Sequence, residues 1–390
     1  MADQLDLSTI PVIDSHCHPF DPARDEGDFR LHFSLSMWEP LLELTTNTVF
    51  SFKAIRELGK FLGCTSKDFD DISKERDRQY RDDPKEYIQK LFRSVNLETL
   101  ILDTGFPHEE FLGYSVDLDY FSKLVPCKIY PICRIEPIIY KIFKKFPKTF
   151  DEARDFFDNE IEKAVKVDKV IAFKSIIAYA TGLEIKKWSD KEARDAYNRF
   201  IRKPLQDYTK IPPGPDEKIL RDYFVVMTLL MCREHDIPMQ FHTGMGGAPT
   251  LDLRKANPIL MQDILAVDEI KETKVVLTHA GFPYCEETAM MTSCYPNLYC
   301  DVSAISNFMG TSMKSAMLKI FEFAPVNRVL FGTDGVIMPE SYWIGVLQGV
   351  KGLEQALVEL INEDWITEND AMKIAKLILN ENAVKLYKLE

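Results

Sequence analysis

Seven histidines occur in the 390 residues, at positions 16, 18, 32, 108, 235, 242 and 279, and four of them close apolar runs. The first such run, Val12-Ile13-Asp14-Ser15-His16-Cys17-His18, carries two imidazoles two residues apart. On an extended strand His16 and His18 point the same way and Cys17 points away. Both rings could then reach one ion, at about 2.0–2.1 Å if that ion is zinc. An isolated His-x-His is weak testimony, because most such pairs are surface or core accidents. Its company strengthens it. Phe241-His242-Thr243-Gly244, Leu277-Thr278-His279-Ala280-Gly281 and Phe331-Gly332-Thr333-Asp334-Gly335 each follow an apolar run and set a metal-competent side chain before a glycine. For any one of them, a core residue satisfied by a backbone carbonyl is the plainer alternative. Together they point to a metal site.

Eight segments must carry these side chains, each apolar, rich in β-branched residues and closed by turn residues. They are Pro11–His18, Thr99–Gly105, Lys128–Glu136, Val170–Ile177, Pro238–Gly244, Lys274–Gly281, Leu298–Ser303 and Arg328–Gly335. Nearly continuous apolar runs predict parallel strands covered on both faces. Amphipathic helical patterns lie between most of them, as over Phe150–Val167 and Asp216–His235. Strand–helix alternation with eight strands predicts an α/β fold, a (β/α)8 TIM-like barrel. A doubly wound sheet needs fewer strands and usually a Gly-rich first turn, and no G-x-G-x-x-G follows the first strand here. Two connections, about 19–97 and 180–237, are too long for simple crossovers and predict helical insertions after strands 1 and 4. The first holds helical patterns near Met37–Leu62 and Pro84–Ser94, with Asp83 as cap. In a barrel both insertions rise from the carboxyl ends of strands, as a lid or as a subunit contact. No low-complexity linker interrupts residues 1–390, which read as a single domain.

Composition narrows the function. Lys+Arg is 48 and Asp+Glu 61, a formal charge of −13 that argues against nucleic acid or an anionic membrane as partner. The eight cysteines form no C-x-x-C pair and read as reduced thiols of a cytoplasmic protein. The opening Met-Ala-Asp-Gln-Leu-Asp lacks the basic start of a signal peptide. Val225 to Cys232, the longest apolar stretch in a helical pattern, is far too short to span a bilayer.

His-x-His on the first strand, His on the fifth and sixth and Asp on the eighth resemble the metal-dependent amidohydrolase superfamily. The pattern is closest to the amidohydrolase-related branch of small-substrate hydrolases and decarboxylases. Phe173-Lys174-Ser175-Ile176-Ile177-Ala178-Tyr179, Leu251-Asp252-Leu253-Arg254-Lys255-Ala256-Asn257-Pro258 and Pro339-Glu340-Ser341-Tyr342-Trp343 further resemble the amidohydrolase-type N-terminal half of nodulin/glutamine-synthetase-like fusion proteins. Unlike those fusions, the sequence ends at Glu390 with no synthetase half, so a function carried by that half is not expected. The resemblance implies that His16, His18, His242 and Asp334 hold a divalent metal, zinc before manganese, with one position left for water. Asp334 would also take the proton from that water and pass it on. His279 would hydrogen-bond the attacking oxygen or polarise the substrate carbonyl, its plainer alternative being a buttress that never meets substrate. Lys174, costly to bury unpaired in its apolar strand, has three readings. It is a carboxylated amine bridging two metals, a cation gripping substrate beside a single metal, or half of a buried ion pair with Glu136. One metal with Lys174 near the substrate is favoured.

Arg134 and Glu136 alternate on the third strand and are expected to face the site. Arg254 lies in the loop after the fifth strand. Either arginine could hold a carboxylate bidentately, which suggests a small carboxylated substrate. Gln240 reads as a buried amide serving the core. The expected function is hydrolysis of an amide or similar C–N or C–O bond by metal-activated water. The alternative is non-oxidative decarboxylation in the same cup, and a non-catalytic sensor ranks below both. A homo-oligomer is compatible with the sequence.

Overall fold

The computed structural model describes residues 4–22, 35, 44, 47–145, 147–201, 213–247 and 250–390. Its strands are β1 (Val12–Cys17), β2 (Leu97–Asp103), β3 (Lys128–Arg134), β4 (Phe173–Ser175), β5 (Met239–His242), β6 (Val275–Thr278), β7 (Leu298–Asp301) and β8 (Val329–Leu330). All pair in parallel, in chain order from β1 to β8. The chain leaving β8 then returns to β1. Ser15 N–H donates to Phe331 O at 2.9 Å, and Asp334 N–H to His16 O and His18 N–H to Gly335 O, both at 2.8 Å. The ring closes as a (β/α)8 barrel. Several strands are shorter than the apolar runs, β4 and β8 most of all, because the runs include rim residues that leave regular β geometry. His279, Ala280 and Asp334 there have φ of 67°, 50° and 58°, left-handed backbone uncommon outside glycine.

Helices coat the outside as their patterns require. The helix Phe150–Lys166, capped by Thr149, buries Ala153, Phe157, Ile161 and Ala164. Pro84–Ser94 has Pro84 in its first turn and Asp83 accepting Glu86 N–H. In the first insertion Val49–Phe61 and Phe69–Asp82 precede it. These helices join the outer layer beside Pro339–Asn362, where Glu340 accepts from Arg76 Nε at 2.6 Å and from Tyr87 Oη at 2.7 Å. The expected Met37–Leu62 helix is seen from Val49 on, and nearly all of its earlier part lies outside the described residues. In the second insertion Asp190–Phe200 opens on a Ser189/Glu192 capping box, and Pro215–His235 leads into β5. Residues 202–212, on which part of the lid reading falls, are also outside the described set. No helix of the described residues is long and apolar enough to cross a membrane, and all eight cysteines are unpaired.

Two features decide what the bore holds. At the end where the strands begin, Ile13, Ile101, Ile132, Ala172, Val276, Tyr299 and Leu330 pack on Ala383, Leu386 and Tyr387 of the last helix, Asn382–Tyr387. That helix plugs the barrel, and Tyr387 Oη accepts from Gln240 Nε2 at 2.8 Å, so Gln240 serves the core as expected. The second feature is a bulge in β1. Asp14 pairs with Leu100 but Cys17 with Leu102, three steps on β1 against two on β2. Plain alternation from inward-facing Ile13 would turn Ser15 and Cys17 inward. The extra residue turns His16 and His18 inward instead, and Cys17 joins the outer apolar layer.

Candidate metal centre

His16 and His18 meet Asp334 at the carboxyl rim. His16 Nε2 lies 3.4 Å and His18 Nε2 3.2 Å from Asp334 Oδ1, and one donor atom from each residue lies within 4.8 Å of the others. Both histidines are buried, while the Asp334 side chain keeps 19% exposure and gives the cup its open side. Burial, and then the charge of Lys174, push the His16 imidazole down to about 3, so it is a neutral donor at pH 7. Burial works against charge on Asp334, yet the field of His279 and the contacts from His16 and His18 outweigh it and hold the carboxyl well below the usual range. Two nitrogens and one anionic oxygen suit a divalent cation.

Asp103, the last residue of β2, supports the cup from behind. His18 Nδ1 faces Asp103 O at 3.4 Å and its Nε2 faces Asp334 Oδ1 at 3.2 Å, so a ring proton held on Nδ1 would leave Nε2 bare toward the cup. Arg134, the last residue of β3, donates to Asp103 Oδ2 through Nε at 2.9 Å and Nη2 at 2.5 Å. Burial opposes ionisation of Asp103, but this guanidinium prevails and holds it well below the usual range. Arg134 is thus committed to Asp103 and is not a carboxylate fork turned to the substrate. Glu136 is not on the strand at all. It begins the helix Glu136–Lys145, and its Oε1 accepts from Ser175 Oγ at 2.7 Å and Ile176 N–H at 2.8 Å, bracing the loop after β4. Of the three readings of Lys174, the ion pair with Glu136 is therefore not the one seen. Lys174 Nζ instead donates to Thr278 Oγ1 at 2.9 Å and lies 3.3 Å from His16 Nε2, and burial lowers it to about 8. Arg254 is corrected too: its side chain is 88% exposed and ties its own loop through Asp252.

His242 and His279 form the other wall. Their rings meet through His279 Nε2 and His242 Nδ1 at 2.9 Å, and His279 Nδ1 meets Ser303 Oγ at 2.9 Å. Both nitrogens of His279 are thus engaged, one by Ser303 and the other by His242. His242 Nε2 is buried without a hydrogen-bond partner. It borders space that a glycine keeps open, since a Cβ on Gly246 would come within 2.8 Å of it and 2.2 Å of Tyr179 Oη. His242 lies outside the group formed by His16, His18 and Asp334. Burial holds both rings neutral, well below the usual histidine range.

Sequence reasoning missed Asp103, Tyr179, Asp301 and Ser303. For two of them a signal was present: Leu100-Ile101-Leu102-Asp103 and Leu298-Tyr299-Cys300-Asp301 end apolar runs in a carboxylate, as the run before Asp334 does.

Residues 177–389 match the family model described as Amidohydrolase. The chain is 25% identical over 410 residues to Protein fluG of Emericella nidulans, covering 98% of this chain and 46% of fluG. It therefore spans about half the length of that curated relative. Among solved structures, a provisionally named metal-dependent hydrolase from Lactobacillus casei ATCC 334 is 26% identical, with a TM-score of 0.81 over 99% of this chain and 98% of the other. Uronate isomerase from Thermotoga maritima shares the fold at 14% identity, with a TM-score of 0.68 over 97% and 95% of the two chains.

Proposed function

The chain belongs to the amidohydrolase family, and from that premise we propose that it is a cytoplasmic metal-dependent hydrolase. It cleaves an amide or a similar C–N or C–O bond of a small carboxylated molecule. The observation that carries this reading is the convergence of His16 Nε2, His18 Nε2 and Asp334 Oδ1 at one half-open point of the rim. His16, His18 and Asp334 would hold a single divalent cation, zinc before manganese, with His242 Nε2 as the nearby further donor. When bound, such a cation supplies a Lewis acid that makes water a nucleophile near neutral pH. The side chains do the rest. Asp334, kept ionised, takes the proton from the attacking water at its carboxylate oxygen and returns it to the leaving nitrogen or oxygen. Asp103 keeps the His18 proton on Nδ1, and Arg134 keeps Asp103 charged. Lys174, buried beside His16, is the cation left to meet a substrate carboxylate.

The test is to load the purified chain with Zn(II) or Mn(II) and offer it small carboxylated amides, N-acyl amino acids among them. Release of amine or ammonia is expected, together with one bound ion per chain. Release of CO2 instead would replace hydrolysis by decarboxylation, and no measurable cation binding would overturn the reading.

A further inference from the structure

Four side chains behind the cup form one hydrogen-bonded row whose proton positions are set from its far end. Asp301 Oδ1 accepts the backbone N–H of His279 and of Ser303, each at 2.9 Å, and also contacts Ser303 Oγ. An oxygen that receives two N–H groups is acting as an acceptor, so the Ser303 hydroxyl proton points at it. Ser303 Oγ then has only lone pairs for its second neighbour, His279 Nδ1, and that nitrogen carries the ring proton. Both rings are buried and neutral, so His279 Nε2 is bare and accepts from His242 Nδ1. His242 is left with its lone pair on Nε2, the buried atom without a partner beside Gly246 and Tyr179.

We infer that Asp301 and Ser303 are positioning residues that fix the tautomer of His279 and, through it, of His242, so that His242 presents a lone pair and not a proton to the cup. The consequence rests on the cation-site reading above: a lone pair at that atom can join the cation or accept a substrate proton, whereas an N–H would repel the cation. The row also explains why an acid and a hydroxyl stand two residues apart at the end of β7.

The test uses the full chain, metal-free and labelled with 15N in its histidine rings, with proton–nitrogen correlation spectra assigned through single His→Gln variants. In the wild type, His242 and His279 should both show a protonated Nδ1 and a bare Nε2. Ser303→Ala removes the acceptor for His279 Nδ1–H and should shift the tautomer ratio of both rings about tenfold, the worth of one buried hydrogen bond. Asp301→Asn should shift it in the same direction, and Ser303→Thr, which keeps the hydroxyl, should restore the wild-type spectrum. A proton on His242 Nε2 in the wild type, or unchanged ratios in both disruptive variants, would overturn the inference. Zn(II) added to the same wild-type sample should move the His16 and His18 ring signals. If it does not, the cation-site reading fails, while the tautomer row stands or falls on the metal-free spectra.

Discussion

The two ends of one bore are built on opposite terms. At the end where the strands begin, seven bore side chains close on Ala383, Leu386 and Tyr387, and Asn382 Nδ2 donates to Val326 O and Val329 O, with Gln240 Oε1 and Asn297 Oδ1 the buried atoms nearby that lack a partner among the described residues. At the carboxyl rim, His16 Nδ1, His242 Nε2 and Asp301 Oδ2 are buried without partners, and Asp334 and His279 sit in left-handed backbone. A polar atom left unmatched in the interior costs about 1–3 kcal/mol. The barrel wall and plug supply the stability that lets the rim keep donors free for a ligand.

Substitutions at the two ends should therefore fail in different ways. The largest effect is expected from Asp334→Asn, which removes the anionic donor: turnover should vanish and Zn(II) affinity fall by at least about 100-fold. The thermal midpoint of the metal-free protein should hardly move, and calorimetry with a melting curve reads both. Leu386→Ala should do the reverse. It should cost about 2–5 kcal/mol in urea unfolding and leave the cation affinity of the folded protein intact. Equal loss of affinity in both variants would break the comparison.

Lys174 stands between the two regions and makes the contrast depend on pH. Its amine is lowered by burial from 10.5 to about 8, so the folded chain holds fewer protons than the unfolded chain between those values. The wild type should gain stability relative to Lys174→Met as pH rises from about 8 to 10.5, by at most about 3 kcal/mol. Below pH 8 the difference should be flat, and chemical unfolding across pH 7–10.5 checks the sign. The smallest effect is expected at Tyr387→Phe. Gln240 Nε2 would lose one acceptor but keep Ser15 O at 2.8 Å, a cost of about 1 kcal/mol.

Strand order and the meeting of His16, His18 and Asp334 could be read from the sequence because apolar runs ending in polar, metal-competent residues are a local pattern. What could not be read depends on neighbours distant in the chain. The bulge between Asp14 and Cys17 comes from pairing with β2 and leaves no mark in the residues themselves. Arg134 looked available because its captor, Asp103, lies 31 positions away on another strand. Glu136 looked inward only as long as β3 was taken two residues too far. Arg254 appeared near the rim by its place after β5, yet its nearest carboxylate is two residues away and holds it outside.

The last helix has one more effect. Leu386 and Tyr387 close the bore beneath Gln240, at the end away from His16, His18 and Asp334. A ligand held by His16, His18 and Asp334 would therefore meet this stopper if it reached down the bore.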